Sequence, residues 1–508
     1  MKNLYNKKWI LLLLPFFLLS GCADDLDEEL FGVLSPENYY KTEDQALSSV
    51  VGVYQRMSGF ANYNNAWRNQ ELGTDEFIVV GRASGGWFSG GSYLEFVTHD
   101  VSSENGKNGD AWDEVFGVIG AANAVLQSIE ESPEAENLSG PISEVKALRA
   151  YAYFYAMDFW GNVPIVTDAR IDQNNLPETS SRSEVFDFVV SEMLSAAVNL
   201  PSITEVDRAA YYPRFTKESI YAALATIYLN GKVYSGTEHW NDALEMSNKV
   251  INSSGYILEP NFIDNFTGDN YNSKELISSF SIDPSVNAGK NNYVRGALHP
   301  LHKLVYNLPF TPANGYNTFE KAFDRYDVND IRRNYILHGP QTYLNGDPLF
   351  DPNGIQLDLI PIGEDPIAAL DNEGFRVLKY VPDGQWVGRD ANNDVVLMRY
   401  SDVLLTKAES LFRIGGGNST EALGLVNDVR SRSNADPLTA LSLQDIEDER
   451  SRELLWEGSR RRDMIRFGSF FTGRWKFHTS DTPESRGIYP IPSEQISSNP
   501  NLVQNPGY

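Results

Sequence analysis

Residues 148–160, with the sequence LRAYAYFYAMDFW, constrain the fold more than any other stretch of the chain. Only Arg149 and Asp158 carry a charge, so a helix formed here is apolar on almost every side and must be covered by other parts of the protein. Ser143 is placed to cap the start of this helix, and Gly161 can end it with a positive φ. The stretch therefore predicts a central buried helix. Its aromatic side chains are interpreted as core packing, because aromatic rings bury large areas.

Apolar residues at intervals of three and four predict further helices on both sides of this stretch. The periodic segments span residues 42–54, 112–129 and 185–200. Thr42 and Gln45 have the spacing of a capping box at the start of the first segment. The chain is therefore expected to be mostly α-helical.

Two further regions resemble tetratricopeptide units, in which a pair of helices crosses at small residues. The first covers residues 220–231 and 240–250, and the second runs from 404 to 430. Because they are far apart in the sequence, we expect both halves of the chain to share one helical scaffold. Between about residues 261 and 393 the periodicity fades and Gly, Asn, Asp and Pro become frequent, which predicts long loops with short strands. Binding residues concentrate on loops of this kind.

The first 35 residues have the pattern of an export and anchoring segment. Three lysines precede an apolar run that is too short to cross a bilayer but fits a signal peptide over residues 1–21. The sequence LSGC resembles a bacterial lipobox, in which Cys22 is lipidated and becomes the new N-terminus. An ordinary signal peptide that leaves Cys22 as a free thiol is the alternative. Residues 22–35 contain an acidic run that should remain a solvated tether.

The net charge argues against nucleic-acid partners. It is −27, and removal of residues 1–21, which hold three lysines and no acid, makes it −30. Such a chain repels nucleic acids and anionic membrane surfaces. The arginines at 460–462 do not change this, because opposite charges four residues apart favour a salt-bridged helix face. The pairs are Asp448 with Arg452 and Glu457 with Arg461. Ser442 and Asp445 have capping-box spacing at the start of that helix.

Three common catalytic motifs are absent from the sequence, which has no Gly-x-Ser-x-Gly, no P-loop and no His-Glu-x-x-His. His299 and His302 could bind a metal, but Pro300 prevents a regular helical display, so no metal site is expected there. The loop at 390–394 could hold a structural calcium ion, yet it lacks EF-hand spacing and a solvated turn is favoured. We expect no cofactor.

A glycine-rich stretch presents aromatic residues outside any regular apolar face. Trp87, Phe88 and Tyr93 lie among five glycines. Exposed aromatic rings on a loop require an explanation. Flat rings stack on the C–H faces of sugars, while Asp75 and Arg82 offer the carboxylate and guanidinium groups that bind hydroxyls. The alternative is that Trp87 fixes the loop to the scaffold, and the residues alone favour both interpretations equally.

Several motifs, in their order along the chain, resemble the SusD/RagB family of bacterial surface nutrient-binding lipoproteins. They are RAYAYF running into WGNVP at 149–164, RYSDVLLTKAE at 399–409, ERSRELLWEG at 449–458, IYPIP at 488–492 and NPNLVQNPGY at 499–508. The similarity begins at about Pro36 and implies one SusD-like helical fold over residues 36–508. Its expected parts are residues 36–260, a loop-rich insertion at 261–393, and residues 394–508.

The resemblance implies a non-catalytic lipoprotein that binds an oligosaccharide and delivers it to a TonB-dependent transporter of the SusC type. The acidic run after Cys22 is similar to the signal by which Bacteroidetes send lipoproteins to the outer face of the outer membrane. A peptide-binding family member and a lipid-anchored glycosidase are the alternatives. A glycosidase needs two carboxylates about 5–10 Å apart. The adjacent Asp75 and Glu76 do not suggest such a pair.

The glycine-rich stretch is similar to the D-E…R…W-x-x-G-G segment common in glycan-binding members, which favours binding over loop fixing. The candidate glycan-binding residues are Asp75, Arg82, Trp87, Phe88 and Tyr93. Glycan-binding members often have a second tryptophan where this chain has Tyr93. They also carry a later aromatic residue in the middle region, for which Tyr316 and Trp386 are the candidates here.

Overall fold

The computed structural model describes residues 39–61, 66–283, 291–386, 388–389, 391–417 and 419–508. The expected signal peptide, Cys22 and the acidic tether lie outside these residues. Helices dominate the described part, which confirms the predicted mostly α-helical class. Within it, no helix combines the length and the apolar character needed to cross a bilayer.

The helices fall into three groups along the chain. The first group is α1 Glu43–Met57, α2 Ala66–Glu71, α3 Ser92–Val97, α4 Gly106–Glu130, α5 Ser139–Trp160, α6 Arg182–Ala197, α7 Arg208–Tyr211, α8 Lys217–Leu229, α9 Gly231–Ser235 and α10 Trp240–Asn252. The second is α11 Tyr293–Ala297, α12 His302–Val305 and α13 Glu320–Asp324. The third is α14 Tyr400–Ile414, α15 Thr420–Arg432, α16 Leu443–Glu453, α17 Arg460–Phe467, α18 Ser469–Thr472 and α19 Ser493–Ser498.

Helix α5 is the central buried helix that the sequence predicts. It packs against α1, α4 and α6, and Gly161 ends it with a φ of 67°. The predicted cap is wrong, because the helix begins at Ser139 and Ser143 lies in its second turn. Pro141 is tolerated in the first turn, where its missing N–H would have no helical partner. The Ser143 hydroxyl instead accepts a hydrogen bond from Asn199 Nδ2 at 3.0 Å.

The tetratricopeptide-like pairs form as predicted. Helix α8 packs on α10, and α14 packs on α15. Helix α10 also packs on α14, which places both pairs in one scaffold. At this contact Ile251 lies against a core cluster that contains Leu404 and Leu405. The two predicted capping boxes, at Thr42 and at Ser442, both form.

The strands are short and form antiparallel pairs. The pairs are β1 Ile78–Val79 with β3 Tyr316–Asn317, β2 Leu276–Phe280 with β8 Val395–Arg399, β4 Ile336–Leu337 with β7 Arg376–Val377, and β5 Gly339–Pro340 with β6 Asp358–Leu359. Long loops and short strands in the middle region agree with the prediction. Strands β1 and β8 lie outside its expected bounds, so their pairing ties the loop-rich region to both helical parts.

Helix α16 carries its charges into the interior, so the expected salt-bridged surface is wrong. The helix ends at Glu453, and Glu457 therefore does not share a helix with Arg461. Arg461 is fully buried and donates to the carbonyl oxygen of Gly487 at 2.9 Å. Arg452 pairs with Glu449, three residues earlier, at 2.8 Å. Burial also makes the arginines at 460–462 unavailable to phosphate groups.

A buried charge network joins α16 to the strands and to α15. Its members are Glu275, Arg332, Arg399, Arg430, Arg432, Glu449, Glu453 and Glu457. Arg399 Nη1 lies 2.8 Å from Glu275 Oε1, and its Nε lies 2.7 Å from Glu457 Oε2. Arg399 also contacts Glu453. Because these groups are removed from water, each depends on its partners for stabilisation.

Burial also affects the protonation of His99, His299 and His302, three of the four histidines that are buried in the described part of the chain. Burial lowers the pKa of His99 and His302 to about 3 and the pKa of His299 to about 4. His99 Nε2 lies 2.7 Å from the carbonyl oxygen of Gly73, so this nitrogen carries the ring's proton. His302 Nε2 lies 3.2 Å from Gln341 Oε1. The folded protein therefore holds these three rings neutral.

Removing Arg399 should leave several buried carboxylates without their partner. We expect Arg399→Ala to lower the free energy of unfolding by about 3–5 kcal/mol. Arg170→Ala is the control, because Arg170 is exposed and pairs with the exposed Glu131 at 3.0 Å; it should leave stability nearly unchanged. Urea unfolding measures both. Equal losses in the two variants would contradict the structural role of the network.

Acid should unfold the protein through its buried histidines. Below pH 6.5 the unfolded chain binds protons at these residues while the folded chain does not, so stability falls as the pH decreases from about 6.5 to about 4. Each histidine contributes up to about 1.4 kcal/mol per pH unit. Urea unfolding across this range should show a smaller fall for His302→Gln, and an unchanged fall in that variant would refute the assignment.

Candidate functional site

The glycine-rich stretch forms an exposed loop at residues 81–91, here called the aromatic loop. Its turns depend on positive φ angles, including 101° at Gly85 and 97° at Gly86. Trp87 also has a positive φ of 61°, which is costly for a large side chain. Contacts with the rest of the protein must therefore hold the loop in this conformation.

Arg82 fixes the base of the aromatic loop to the middle region. Its Nε donates to the carbonyl oxygen of Asn314 at 2.7 Å, and its Nη1 donates to those of Leu370 and Glu373 at 2.6 and 2.9 Å. The backbone adds bonds between residues 81–83 and 366–369. Arg82 is buried, and this burial lowers its pKa to about 10. Its guanidinium is therefore used to position the loop.

Trp87 holds the centre of the loop. Its Nε1 donates to the carbonyl oxygen of Ala313 at 2.6 Å, and its ring centroid lies 5.3 Å from that of Tyr316. The ring lies so close to Gly315 that a Cβ there would be 2.1 Å from it. Trp87 is half-buried, whereas the neighbouring Phe88 is 49 % exposed. Trp87 therefore fixes the loop, whereas the ring of Phe88 faces solvent.

Asp75 is not on the surface. It is 3 % exposed, and its Oδ1 accepts from Arg460 Nε at 2.8 Å, while Arg325 contacts its Oδ2. Burial opposes its charge, but Arg325 and Arg460 outweigh burial and hold the pKa of Asp75 below its usual range. Glu76 is also buried, and burial raises its pKa above the usual range. In this conformation neither carboxylate can reach a ligand in solvent.

The other candidate aromatics are buried. Tyr93 lies on α3, and Tyr316 is fully buried against Phe77. Trp386 is 7 % exposed and stacks on Phe310 with ring centroids 6.0 Å apart. Phe88 and part of Trp87 are therefore the candidate residues that a surface ligand can contact directly. Glycan contact by these residues remains a prediction.

Sequence reasoning missed a polar pair that joins the aromatic loop to the middle region. Ser84 Oγ donates to Asp371 Oδ1 at 2.7 Å, and both side chains are exposed. The same segment exposes the apolar side chains of Ile367 and Leu370. No local signal identifies this pair, because 287 residues separate its members.

The metal-binding candidates are occupied by protein contacts. His299 Nδ1 accepts from the backbone N–H of Leu301 at 3.2 Å, and His302 faces Gln341. Asp394 accepts hydrogen bonds from Ile282 N at 2.7 Å and from the Tyr212 hydroxyl at 2.8 Å. Among the described residues, which exclude Asp390, no cluster of three or more His, Cys, Asp or Glu could hold a metal ion. For the loop at 390–394, a solvated turn stays the prediction and structural calcium the less favoured alternative.

Two family models match the chain. The model described as starch-binding associating with outer membrane matches residues 41–229, and the model of the SusD family matches residues 363–508. Together they cover about two thirds of the chain.

Two related proteins extend the match over most of the chain. The starch-binding protein SusD of Bacteroides thetaiotaomicron is 27 % identical over 438 residues, which cover 76 % of each chain. A SusD-like protein of Bacteroides ovatus is 24 % identical over 514 residues, 95 % of this chain and 87 % of the relative.

Solved structures share the fold. A laminarin-binding SusD-like protein has a TM-score of 0.74 and 23 % identity, with coverage of 92 % of this chain and 100 % of the other. Surface glycan-binding protein A of Bacteroides thetaiotaomicron, solved with laminarihexaose, has a TM-score of 0.73 and 21 % identity, with coverage of 91 % and 99 %. The solved structures show that the fold is shared, and the two family models with the related sequences establish that the chain belongs to the SusD family.

Proposed function

We propose that this protein is a non-catalytic, lipid-anchored surface protein that binds oligosaccharides at the aromatic loop and delivers them to a SusC-like TonB-dependent transporter. The observation that carries the binding proposal is the exposure of the Phe88 ring. The ring is 49 % exposed on a loop that the rest of the protein holds in place. A rigid exposed ring offers contact area to a ligand without the entropic cost of ordering a mobile loop.

The strain and the contacts of the loop support this assignment. Unfavourable backbone conformations in folded proteins concentrate at binding sites, where the surrounding structure maintains them. Here Trp87 adopts such a conformation and is fixed through Ala313. The ring of Phe88 follows directly and faces solvent. We infer that the loop is built to present this ring.

The relatives favour a glycan as the ligand class. One is a starch-binding protein, one neighbour in structure binds laminarin, and another was solved with laminarihexaose. These ligands are neutral polyols, whose C–H faces suit an aromatic ring. The charge of about −30 expected for the processed chain would repel acidic peptides.

Catalysis is disfavoured by the position of the adjacent carboxylates. The pKa values of Asp75 and Glu76 are shifted in opposite directions. Burial raises the pKa of Glu76, whereas the neighbouring arginines lower the pKa of Asp75. Such a difference is typical of acid–base pairs in glycosidases. Both groups are buried, however, and a glycosidic bond must lie between its two carboxylates.

Phe88→Ala should weaken glycan binding about tenfold or more, because it removes the exposed platform. The soluble chain, truncated after Cys22, is titrated by calorimetry with maltohexaose, laminarihexaose and a tryptic digest of casein. Phe350→Ala is the matched control, since Phe350 is 50 % exposed on a different loop. It should leave the affinity unchanged.

The outcomes of this titration separate the alternatives. A glycan that binds equally well to Phe88→Ala would place the site elsewhere. If only the peptide digest gives binding heat, the ligand class is peptide and the glycan proposal is wrong. Chromatography of the titrated samples detects cleavage of either hexasaccharide, and such cleavage would refute the absence of catalysis.

Anchoring and delivery are tested in the cell. We expect native protein to fractionate with outer membranes, to be accessible to protease on intact cells, and to co-purify with a SusC-like transporter in mild detergent. Cys22→Ala should release it from the membrane, because the lipid is the proposed anchor. Membrane retention of this variant would contradict the anchor, and repeated purification of the native lipoprotein alone would contradict the partnership.

A further inference from the structure

Asp371 lies where the aromatic loop meets the middle region. Ser84, four residues before Phe88, donates to Asp371 Oδ1 at 2.7 Å. The backbone carbonyl of Asp371 accepts a bond from Asn314 Nδ2 at 2.9 Å, so both its backbone and its side chain are fixed. In the part of the chain that the structure describes, no donor is bonded to Oδ2 of this exposed carboxylate. It is therefore free to accept hydrogen bonds from a ligand.

Two buried arginines lie beneath this carboxylate. Arg82 and Arg376 donate to carbonyl and amide oxygens, among them Asn317 Oδ1, which lies 2.9 Å from Arg82 Nη2. Within the described residues neither Arg82 nor Arg376 forms a direct ion pair, although buried charges are normally paired. The charge of Asp371 stabilises both guanidinium groups, and Glu373 also stabilises that of Arg82. The charge of Asp371 thus helps to stabilise the two arginines that hold this part of the structure together.

The middle-region segment that contains Asp371 is acidic. Residues 339–375 contain seven acidic residues and neither lysine nor arginine. The acids are Asp347, Asp351, Asp358, Glu364, Asp365, Asp371 and Glu373. This segment also supplies the exposed Ile367 and Leu370 beside the loop. A ligand with its own carboxylates or sulfates would meet like charges here, whereas neutral hydroxyl groups would meet hydrogen-bond acceptors.

We propose that Asp371 is a ligand-binding residue of the aromatic loop site, and that it makes the site selective for uncharged oligosaccharides over uronate-containing or sulfated ones. A sugar stacked on Phe88 would donate its hydroxyls to Asp371 Oδ2, which Ser84 orients. The carboxylate role that the sequence suggested for the buried Asp75 belongs instead to a residue from the middle region. This inference rests on the proposed glycan-binding function.

The test compares neutral and acidic probes on the soluble chain. Laminarihexaose and maltohexaose are the neutral probes, and hexagalacturonic acid is the acidic one. Asp371→Asn should bind whichever neutral probe the native chain binds about tenfold more weakly, because a hydrogen bond to a charged acceptor is lost. Asp347→Asn, which removes an exposed acid of the same segment at a distant turn, should have no effect. The native chain should give no binding heat with hexagalacturonic acid at low or physiological salt.

Two further variants keep the test decisive if Asp371→Asn is poorly folded. Asp371→Glu retains the charge above Arg82 and Arg376 but displaces the oxygens, and Ser84→Ala removes the bond that orients the carboxylate. Both should weaken neutral-probe binding while a thermal melt remains close to that of the native chain. Continued exclusion of hexagalacturonic acid by Asp371→Glu would support the charge argument.

The results distinguish this inference from the function on which it rests. If Phe88→Ala abolishes binding of a neutral probe while every change at Asp371 and Ser84 leaves it intact, the role of Asp371 is wrong and the proposed function stands. Tight binding of hexagalacturonic acid at the Phe88 site would overturn the selectivity. If neither neutral probe binds, the proposed function fails and this inference fails with it.

Discussion

The buried charge network around α16 is the interaction on which the arrangement of the middle region and the C-terminal helices depends. Glu453 at the end of this helix meets Arg332 from the middle region, Arg399 from β8 and Arg432 from α15. Removing such charges from water is expensive, and their attraction compensates only when the geometry is complete. The network therefore tolerates one relative placement of these elements. Apolar packing, as on helix α5, is less selective because it has no directional requirement.

The need to pair buried charges also fixes the segment that leads into the aromatic loop. Asp75 lies just before β1 and pairs with Arg325 and Arg460, which belong to parts of the chain far away in sequence. Arg82 and Trp87 then attach the aromatic loop to the middle region. The charged groups are thus paired in the interior, while the ring of Phe88 stays exposed to solvent. The aromatic loop is therefore the edge of a framework that the rest of the protein holds in place, as the proposed binding role requires.

Local rules identified the helices but misjudged which charges are exposed. The period of three and four located the helices, because apolar faces must be buried whatever covers them. The same rule placed Arg461 on a solvated face beside Glu457, since four-residue spacing stabilises an isolated helix. The chain instead ends α16 at Glu453 and buries Arg461. Whether a charge is buried depends on partners that are distant in sequence, and a local pattern carries no information about them.

The sequence by itself determined the helical class, the central helix, the paired helices, the family resemblance and the existence of the glycine-rich aromatic stretch, because each depends on short-range spacing or on a contiguous motif. Tertiary structure alone decided which side chains of the candidate site are buried and which are exposed. It buried Asp75 and Tyr316, left Phe88 in solvent, and brought Asp371 to Ser84 across 287 residues. The physical reason is that a surface site is defined by which groups remain unpaired after the core has formed, and that pairing is settled by long-range contacts.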